Sequence, residues 1–236
     1  MPRVVCISSN APSDGAHGDQ DTGRSGSYRR VSTRQTLSAK FWGLDLCASL
    51  PRALSSDGVE AVPGEIDRVR DFIALEFPAF MEDAFGVQQT AEMLASKRRY
   101  LETRCDLIEL RHRERTVGLI VGAPEDWSTY YIRVFAVVQA YQRPSLTRRF
   151  IRECLFEPLT AYQVQRVVAD TSPANLAMAR GFSEMHFHVT GHQLNERWGP
   201  LVRYTRFLDP ECEAAFHRRF TGVAPPGSNA RKGGRP

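Results

Sequence analysis

Cysteine is scarce in this sequence, and its spacing excludes two common kinds of site. The chain has five cysteines among 236 residues. They are far apart, odd in number and in no C-x-x-C pair. Such a spacing supports neither a disulfide framework nor a structural zinc site. We therefore expect reduced thiols in a cytoplasmic protein without a metal, with the cysteines mostly serving as small buried apolar side chains.

Long apolar runs are absent as well. No stretch approaches the roughly 20 consecutive apolar residues that cross a bilayer. The N-terminus lacks a basic segment followed by an apolar stretch of about 7–15 residues, so it does not predict a signal peptide. The hydrophobic content of 42% is nevertheless enough to bury a core. These features predict a folded protein that does not bind membranes.

Basic charge is missing from the middle of the chain. Residues 1–40 carry six basic and three acidic side chains, and residues 218–236 carry five basic and no acidic ones. Because the whole chain has a net charge of +4, residues 41–217 have a net charge of −4. Nucleic-acid binding favours a basic folded face with interleaved aromatics. We therefore expect no nucleic-acid partner.

The ends of the chain also lack periodic apolar patterns. Residues 1–38 are rich in Ser, Gly, Asp and Arg, so they are predicted to be disordered. Residues 39–58 are apolar enough to form a segment that docks on the core. Residues 59–216 are predicted to be the folded domain, and residues 217–236 a basic, flexible tail.

Within the folded domain, the patterns predict the order β-α-α-β-β-β-α-β-α-β-β. One helical stripe consists of Ile66, Val69, Ile73 and Phe77. Strand, crossover helix and strand at residues 130–170 predict a parallel pair. The fold class is therefore α/β, a mixed, α+β-like arrangement with a twisted sheet of about six or seven strands and helices on both faces.

A short loop without glycine precedes the helix predicted over residues 145–160. It lies in "AYQRPSLTRRFIREC", residues 140–154. Amides at a helix N-terminus bind phosphate, and every residue except proline keeps its amide. Ser145 and Thr147 add hydroxyls, whereas Pro144 removes one donor. The pattern leaves two interpretations open: a phosphate-binding loop, or an N-capped helix without a ligand.

Two stretches resemble the GNAT superfamily of acyl-CoA-dependent N-acyltransferases. The family pattern V-x-P-x-Y-R-x-x-G-x-G/A-x-x-L, with Gln allowed for Arg, is similar to "VVQAYQRPSLTRRFI". The pattern L-x-V-x-P-x-N-x-x-A-x-x-L-Y-x-x-x-G-F is similar to "ADTSPANLAMARGFSEMHF". Ser145 and Thr147 replace both glycines of the first pattern. The resemblance covers roughly residues 59–208, and it implies a GNAT-type sheet and acetyl-CoA or another acyl-CoA as co-substrate.

The resemblance also implies where the coenzyme binds. In the family, the fourth and fifth strands separate at a bulge, and the pantetheine arm pairs with the fourth strand. An amide of that strand polarises the thioester carbonyl. The cofactor-binding residues implied are Phe135, Val137, Val138, Gln142, Arg143, Ser145, Leu146, Thr147, Arg148 and Asn175.

Three catalytic candidates follow from the resemblance, namely Tyr131, Arg133 and Tyr141. Family bases fall on the positions of Tyr131 and Arg133, but neither side chain is a good base at neutral pH. Arg133 suits an acidic substrate group instead. Glu125 and Asp126 are the nearest carboxylates upstream, in a segment that is also typical of a solvated turn.

The family tyrosine that protonates the leaving thiolate is replaced here by Phe182. Tyr141 and Ser183 are the nearby hydroxyls, so we expect turnover without a dedicated acid. His186, His188 and His192 share parity along a predicted strand. They lack matching acid or Cys partners in the sequence pattern, so surface histidines are favoured over a metal site.

The leading functional hypothesis is acyl transfer from acyl-CoA to an amine of a small molecule. One alternative is a long-chain N-acyl amino acid or acylhomoserine-type synthase that uses acyl carrier protein, an acidic partner suited to Arg148, Arg149 and Arg152. A non-catalytic acyl-CoA-binding module is another. The oligomeric state is left open, with a homodimer among the alternatives.

Overall fold

The computed structural model describes residues 42–77, 90–195 and 198–221. The predictions for residues 1–38 and for the end of the basic tail lie outside the described residues. Within them, no helix is long and apolar enough to cross a membrane.

Eight described strands form a mixed sheet in the order β1-β2-β3-β4-β5-β6-β8-β7. The α/β fold class is confirmed, and the extra strand is β1, two residues contributed by the segment expected only to dock. The strands are β1 Arg52–Ala53, β2 Val59–Pro63, β3 Asp106–His112, β4 Arg115–Asp126, β5 Thr129–Val137, β6 Arg166–Thr171, β7 His188–Asn195 and β8 Gly199–Phe207.

Six α-helices are described. They are α1 Ile66–Glu76, α2 Ala91–Arg104, α3 Pro144–Ile151, α4 Glu157–Ala161, α5 Leu176–Glu184 and α6 Pro210–Phe216. A π-helical turn, Arg152–Phe156, joins α3 to α4, and another, His217–Thr221, follows α6. The sequence patterns missed α6, whose N-cap is Asp209: its Oδ1 accepts a hydrogen bond from the Glu211 amide at 2.8 Å.

The parallel pair predicted around the crossover helix is confirmed. β5 and β6 run parallel, and their registered pairs extend from Thr129 with Arg166 to Ile132 with Ala169. The other neighbouring strands are antiparallel. A parallel pair requires a long crossover, and here that crossover contains α3 and α4. This arrangement puts the start of α3 beyond the end of β5.

Helix α1 is held against the sheet by its buried apolar side chains and by a hydrogen bond at its N-terminus. Ile66, Val69 and Phe72 are its buried side chains, whereas Ile73 is only half-buried. The predicted stripe therefore packs on the core, with Phe77 buried directly after the helix and Ile73 partly buried against the core, and Phe72 is an additional buried side chain. Glu109 is fully buried and accepts a hydrogen bond from the Glu65 amide at 2.7 Å. A carboxylate at the first turn of a helix is stabilised by the helix dipole.

The segment before β2 contacts the same core. Leu44, Leu46 and Leu54 are buried. Arg52 pairs with Glu153 of the crossover, with a distance of 2.8 Å from Nε to Oε2. The segment is thus attached both by apolar burial and by an ion pair to the helical crossover.

The cysteines of the described residues are free thiols, as predicted. Burial raises the pKa of Cys47 and Cys154 to about 12 and that of Cys105 to about 11. A thiol with such a pKa remains protonated at neutral pH and is a poor nucleophile. These cysteines therefore serve as packing residues.

Candidate functional site

The central strand β5 carries a bulge at Arg133. Val134 is paired with Val121 and Ile132 with Gly122, so Arg133 is an extra residue between two consecutive partners. Pairing of β5 with β6 stops at Ile132. The two strands separate beyond this point, and β5 carries on without a hydrogen-bonded neighbour on that side. Bulges often re-aim a strand next to an active site.

A cavity of about 430 Å³ lies beside the free part of β5. Its walls come from three places: the end of β5, the start of α3 and one face of α5. The lining residues are Phe135, Val137, Gln142, Pro144, Thr147, Arg148, Asn175, Ala177, Met178, Arg180, Gly181, Glu184 and Met185. The cavity is thus apolar along the strand and polar at the start of α3.

The N-terminus of α3 is built without glycine. Arg143 is the N-cap and Pro144 is the first helical residue. Proline is favoured at this position, because the amide that it lacks would have no partner within the helix. The Thr147 amide donates to the Arg143 carbonyl at 2.9 Å, which is the first turn of the helix. The amides of Ser145 and Leu146 lie in that first turn, where helices have free donors.

Six of the ten cofactor-binding residues named from the sequence line the cavity. They are Phe135, Val137, Gln142, Thr147, Arg148 and Asn175. The Gln142 side chain donates to the Val137 carbonyl at 2.7 Å. This bond fixes the loop against the end of β5.

The other four do not line the cavity. The Val138 amide donates to the Val117 carbonyl at 2.9 Å, and the Leu146 side chain is buried in the core. Arg143 pairs with Asp57 at 2.8 Å, and the Ser145 side chain is exposed. Of these four, Ser145 and Leu146 contribute backbone amides to the first turn of α3, between the cavity-lining Pro144 and Thr147.

Asn175 both caps a helix and lines the cavity. It is the N-cap of α5, and its Oδ1 accepts a hydrogen bond from the Met178 amide at 3.3 Å. It also lines the cavity. Asn175 therefore caps α5 from a position on the cavity wall, and its contact with a coenzyme stays a prediction.

A second group of polar residues lies before the bulge. We call Tyr131, Asp170, Gln193 and Arg203 the aspartate cluster. Asp170 is fully buried and accepts hydrogen bonds from the Tyr131 hydroxyl at 3.0 Å and the Gln193 amide at 2.8 Å. Arg203 donates to both of its carboxylate oxygens, at 3.0 and 3.2 Å. These bonds raise the pKa of the Arg203 guanidinium above its usual value.

Sequence reasoning found Tyr131 but missed the rest of the aspartate cluster. Asp170 and Arg203 are registered partners on β6 and β8, which are more than 30 residues apart in the chain. The available signal was an acidic residue at the end of an otherwise apolar strand, "VVADT". Its partner could not be chosen among the many arginines without the sheet order.

Arg133 lies next to this cluster. Its Nη2 donates to the Tyr100 hydroxyl at 2.5 Å. Its guanidinium carbon lies 5.2 Å from the Tyr100 ring centroid and 5.8 Å from that of Tyr131. Arg133 is therefore held by two aromatic rings at the point where the strands separate.

The hydroxyls considered as proton donors are placed elsewhere. The Tyr141 oxygen lies 2.6 Å from Nδ1 of His112, and Tyr141 does not line the cavity. Ser183 is exposed on α5. Phe182 is fully buried, with ring centroids 4.7 Å from Phe187 and 4.9 Å from Tyr204. It therefore fills the core instead of the cavity.

The carboxylates upstream of β5 both have partners in the chain. Glu125 lies 3.5 Å from Arg203. Asp126 accepts hydrogen bonds from the amide and the hydroxyl of Ser128, at 2.7 and 2.8 Å. Despite partial burial, these hydrogen bonds hold the pKa of Asp126 below its usual value. Asp126 therefore stabilises the turn between β4 and β5.

Two of the three arginines suggested for an acidic protein partner pair within the chain. Arg149 and Arg152 both contact Oε1 of Glu153, at 2.7 and 3.2 Å. Arg149 additionally donates to the Leu54 carbonyl at 2.9 Å, which links the crossover to the segment before β2. The third, Arg148, donates to the Pro144 carbonyl at 3.2 Å and lines the cavity.

Of the three strand histidines, His188 lies near other metal-ligating groups. His188, Glu213 and His217 each place one ligand atom within 4.8 Å of the other two. His188 Nε2 is 2.9 Å from Glu213 Oε1, and Arg206 is 4.0 Å from the same oxygen. The arginine adds positive charge that opposes a cation. A hydrogen bond between His188 and Glu213 accounts for the arrangement.

Known proteins resemble this chain in structure but not in sequence. No protein-family model and no curated protein matches the sequence. An aminoglycoside 6'-acetyltransferase type Ii is 11% identical, with 64% of this chain and 97% of that one aligned at a TM-score of 0.50. An acetyltransferase from Salmonella typhimurium that modifies the N-terminal serine of a 50S ribosomal subunit protein is 15% identical, with 66% and 98% aligned at 0.50.

A ribosomal alpha-N-protein acetyltransferase in complex with coenzyme A is 12% identical, with 66% of this chain and 97% of that one aligned at a TM-score of 0.50. The chain has the GNAT acyltransferase fold. Nearly the whole length of each of these proteins is matched, so the complete GNAT fold is present. The identities are low enough that the likeness establishes the fold alone.

Proposed function

We propose that this protein is an N-acyltransferase. It transfers an acetyl or other acyl group from acyl-CoA to an amine of a small molecule, by direct attack in a ternary complex. The observation that carries the proposal is the cavity between the free edge of β5 and the N-terminus of α3. The acetyltransferase names of the structural neighbours, one of them in complex with coenzyme A, support it.

The lining of the cavity suits the parts of a coenzyme. The amides of Ser145 and Leu146, at the positive end of the helix dipole, suit a pyrophosphate. Thr147 adds a hydroxyl and Arg148 a positive charge at the same wall. These groups would bind the pyrophosphate at the loop where the family pattern has glycines.

The free edge of β5 suits the pantetheine arm. An extended chain with amide groups can pair with a strand that lacks a neighbour. Phe135 and Val137 supply apolar walls along this edge. The acyl group would then lie near the bulge at Arg133, two residues before the cavity-lining Phe135.

At the bulge, the amine nitrogen attacks the thioester carbonyl. The carbon–nitrogen bond forms, the carbon–sulfur bond breaks, and the electron pair leaves with the coenzyme thiolate. A backbone amide of β5 stabilises the negative charge on the carbonyl oxygen. A thiol with a pKa near that of cysteine, about 8.5, leaves readily. Turnover is therefore expected without a dedicated acid. Water takes up the proton that the acceptor ammonium loses before its neutral amine attacks, and also the second nitrogen proton that is lost as the amide forms.

The proposal is tested by binding and turnover with the full chain. Titration calorimetry should show saturable binding of acetyl-CoA. With a panel of primary amines, acetyl-CoA should release free thiol in an amine-dependent reaction. Binding without thiol release for any amine would favour the non-catalytic binding module, and absence of binding would contradict the proposal.

A further inference from the structure

We propose that Arg133 binds a carboxylate on the acceptor, so that the acceptor is an amine that also carries a carboxylate, as amino acids do. This inference rests on the proposed function, because it names the substrate class of the same site. It starts from the charges around the bulge and from the contacts of Arg133.

Arg133 has no ion pair of its own within the described part of the chain. Asp170 is paired with Arg203 through two hydrogen bonds, and Glu125 lies near the same guanidinium. Among residues 42–77, 90–195 and 198–221, no carboxylate lies within 4.0 Å of the Arg133 guanidinium. The nearby acids of the site are thus paired with Arg203, and the charge of Arg133 has no direct acidic partner among these residues.

This charge is costly to leave alone. Arg133 is only half-exposed, and its Nε is buried without a hydrogen-bond partner. Nη2 is bound to the Tyr100 hydroxyl, and two tyrosine rings flank the group. Aromatic faces and a single phenol keep a guanidinium in place without neutralising it. Such a group is already oriented, and a carboxylate is an anion that a guanidinium binds through charge-assisted hydrogen bonds.

The position of Arg133 relates the anion to the reaction. Arg133 is the bulged residue itself, and Phe135 of the cavity wall is two residues further along β5. A carboxylate held here would put an amine on the same small molecule close to the strand edge that receives the acyl group. Holding both reactants in this way is a large part of what an enzyme contributes to a bimolecular reaction.

The test uses matched acceptors and a matched variant. Each common amino acid is compared with its carboxamide and its decarboxylated amine, in acetyl transfer from acetyl-CoA and in direct binding measured by saturation-transfer NMR. At least one amino acid should have a KM at least about tenfold below that of its amide. Arg133→Gln should abolish this preference, Arg133→Lys should keep part of it, and acetyl-CoA affinity should stay unchanged in both.

Arg115→Gln is the control, because Arg115 is an exposed arginine at the start of β4 that pairs with Glu76. It should leave the preference intact. Equal use and equal binding of acids and amides, or an equal loss for both in Arg133→Gln, would overturn the carboxylate proposal while leaving acyl transfer standing. A third outcome separates the two proposals. If amino acids bind through their carboxylate and Arg133→Gln removes that binding, but acetyl-CoA does not bind, then the acyltransferase proposal is refuted and the anion site stands.

Discussion

The cavity beyond the β5 bulge and the aspartate cluster before it are built from different kinds of chemical group. Beyond the bulge, the cavity uses backbone groups and local helix geometry, with Phe135 and Val137 as apolar walls. Before it, the aspartate cluster uses side chains from three different strands around the buried Asp170. Backbone sites tolerate sequence change, because every residue except proline supplies an amide. Side-chain clusters do not, because each member has a fixed chemical role.

The largest effect should come from breaking the aspartate cluster. Asp170→Asn removes the charge that Arg203 pairs with and leaves a guanidinium that keeps only 30% exposure. We expect a loss of about 3 kcal/mol in the free energy of unfolding, measured by urea denaturation. Asp71→Asn, on an exposed ion pair with Arg70, is the control and should change little.

A double variant sharpens this result. Asp170→Asn with Arg203→Met removes both charges, so it should recover part of the lost stability. If Asp170→Asn alone is as stable as the parent protein, the cluster is not an important support for the sheet.

The next largest effect should appear at the cavity. Thr147→Glu puts a negative charge on the wall next to the α3 N-terminus. We expect acetyl-CoA affinity to fall about 100-fold by calorimetry, and the loss to shrink at high salt. Thr160→Glu makes the same substitution at an exposed position of α4 and should leave affinity unchanged. Equal affinities for the two variants would show that the coenzyme lies elsewhere.

A smaller effect separates the two roles of Asn175. Asn175→Ala removes the N-cap acceptor of α5 and should cost about 1 kcal/mol of stability. Asn175→Asp keeps an acceptor for the Met178 amide but loses the amide donor, so its melting temperature should stay near that of the parent. If Asn175→Asp also binds acetyl-CoA normally, Asn175 is a cap and nothing more.

The smallest effect is expected at Tyr141. Its hydroxyl is already engaged with His112 outside the cavity. Tyr141→Phe should therefore lower kcat by less than about threefold, whereas losing a positioned acid costs about 10²–10⁴-fold. A hundredfold fall would identify Tyr141 as the acid and contradict turnover without one.

The elements with strong local patterns were predictable from the sequence. The β3–β4 hairpin, the parallel pair of β5 and β6, and the helix after the glycine-free loop all follow from periodicity and connection rules. Five of the residues named from the two family-like stretches line the cavity, as does Phe135 just before the first stretch, and their binding to a coenzyme stays a prediction. Local geometry was enough there, because the loop and both helices are close to the ends of their own strands.

Other features depended on contacts distant in the chain. The apolar pattern of α6 is too short to predict a helix. The helix packs on the sheet through Phe216, whose ring centroid lies 5.2 Å from that of Phe207. His186 adopts a φ of 59° at the position where the family pattern has glycine. The left-handed backbone conformation of this turn is therefore maintained without glycine, through contacts with the rest of the fold. The Ser145 hydroxyl was named as a possible contact of the loop, whereas the Ser145 side chain is exposed and does not line the cavity.

The sequence by itself determined the period of the strands and helices from β2 to β8, and with them the GNAT order of elements and the glycine-free helix start. These properties depend on residues that are neighbours along the chain. Only the tertiary structure decided that β5 bulges at Arg133, that Asp170 is satisfied by Tyr131, Gln193 and Arg203, and that Arg133 has two aromatic rings and no described carboxylate beside it. Which charges meet is set by the order of strands in the sheet, and that order minimises the free energy of the whole chain.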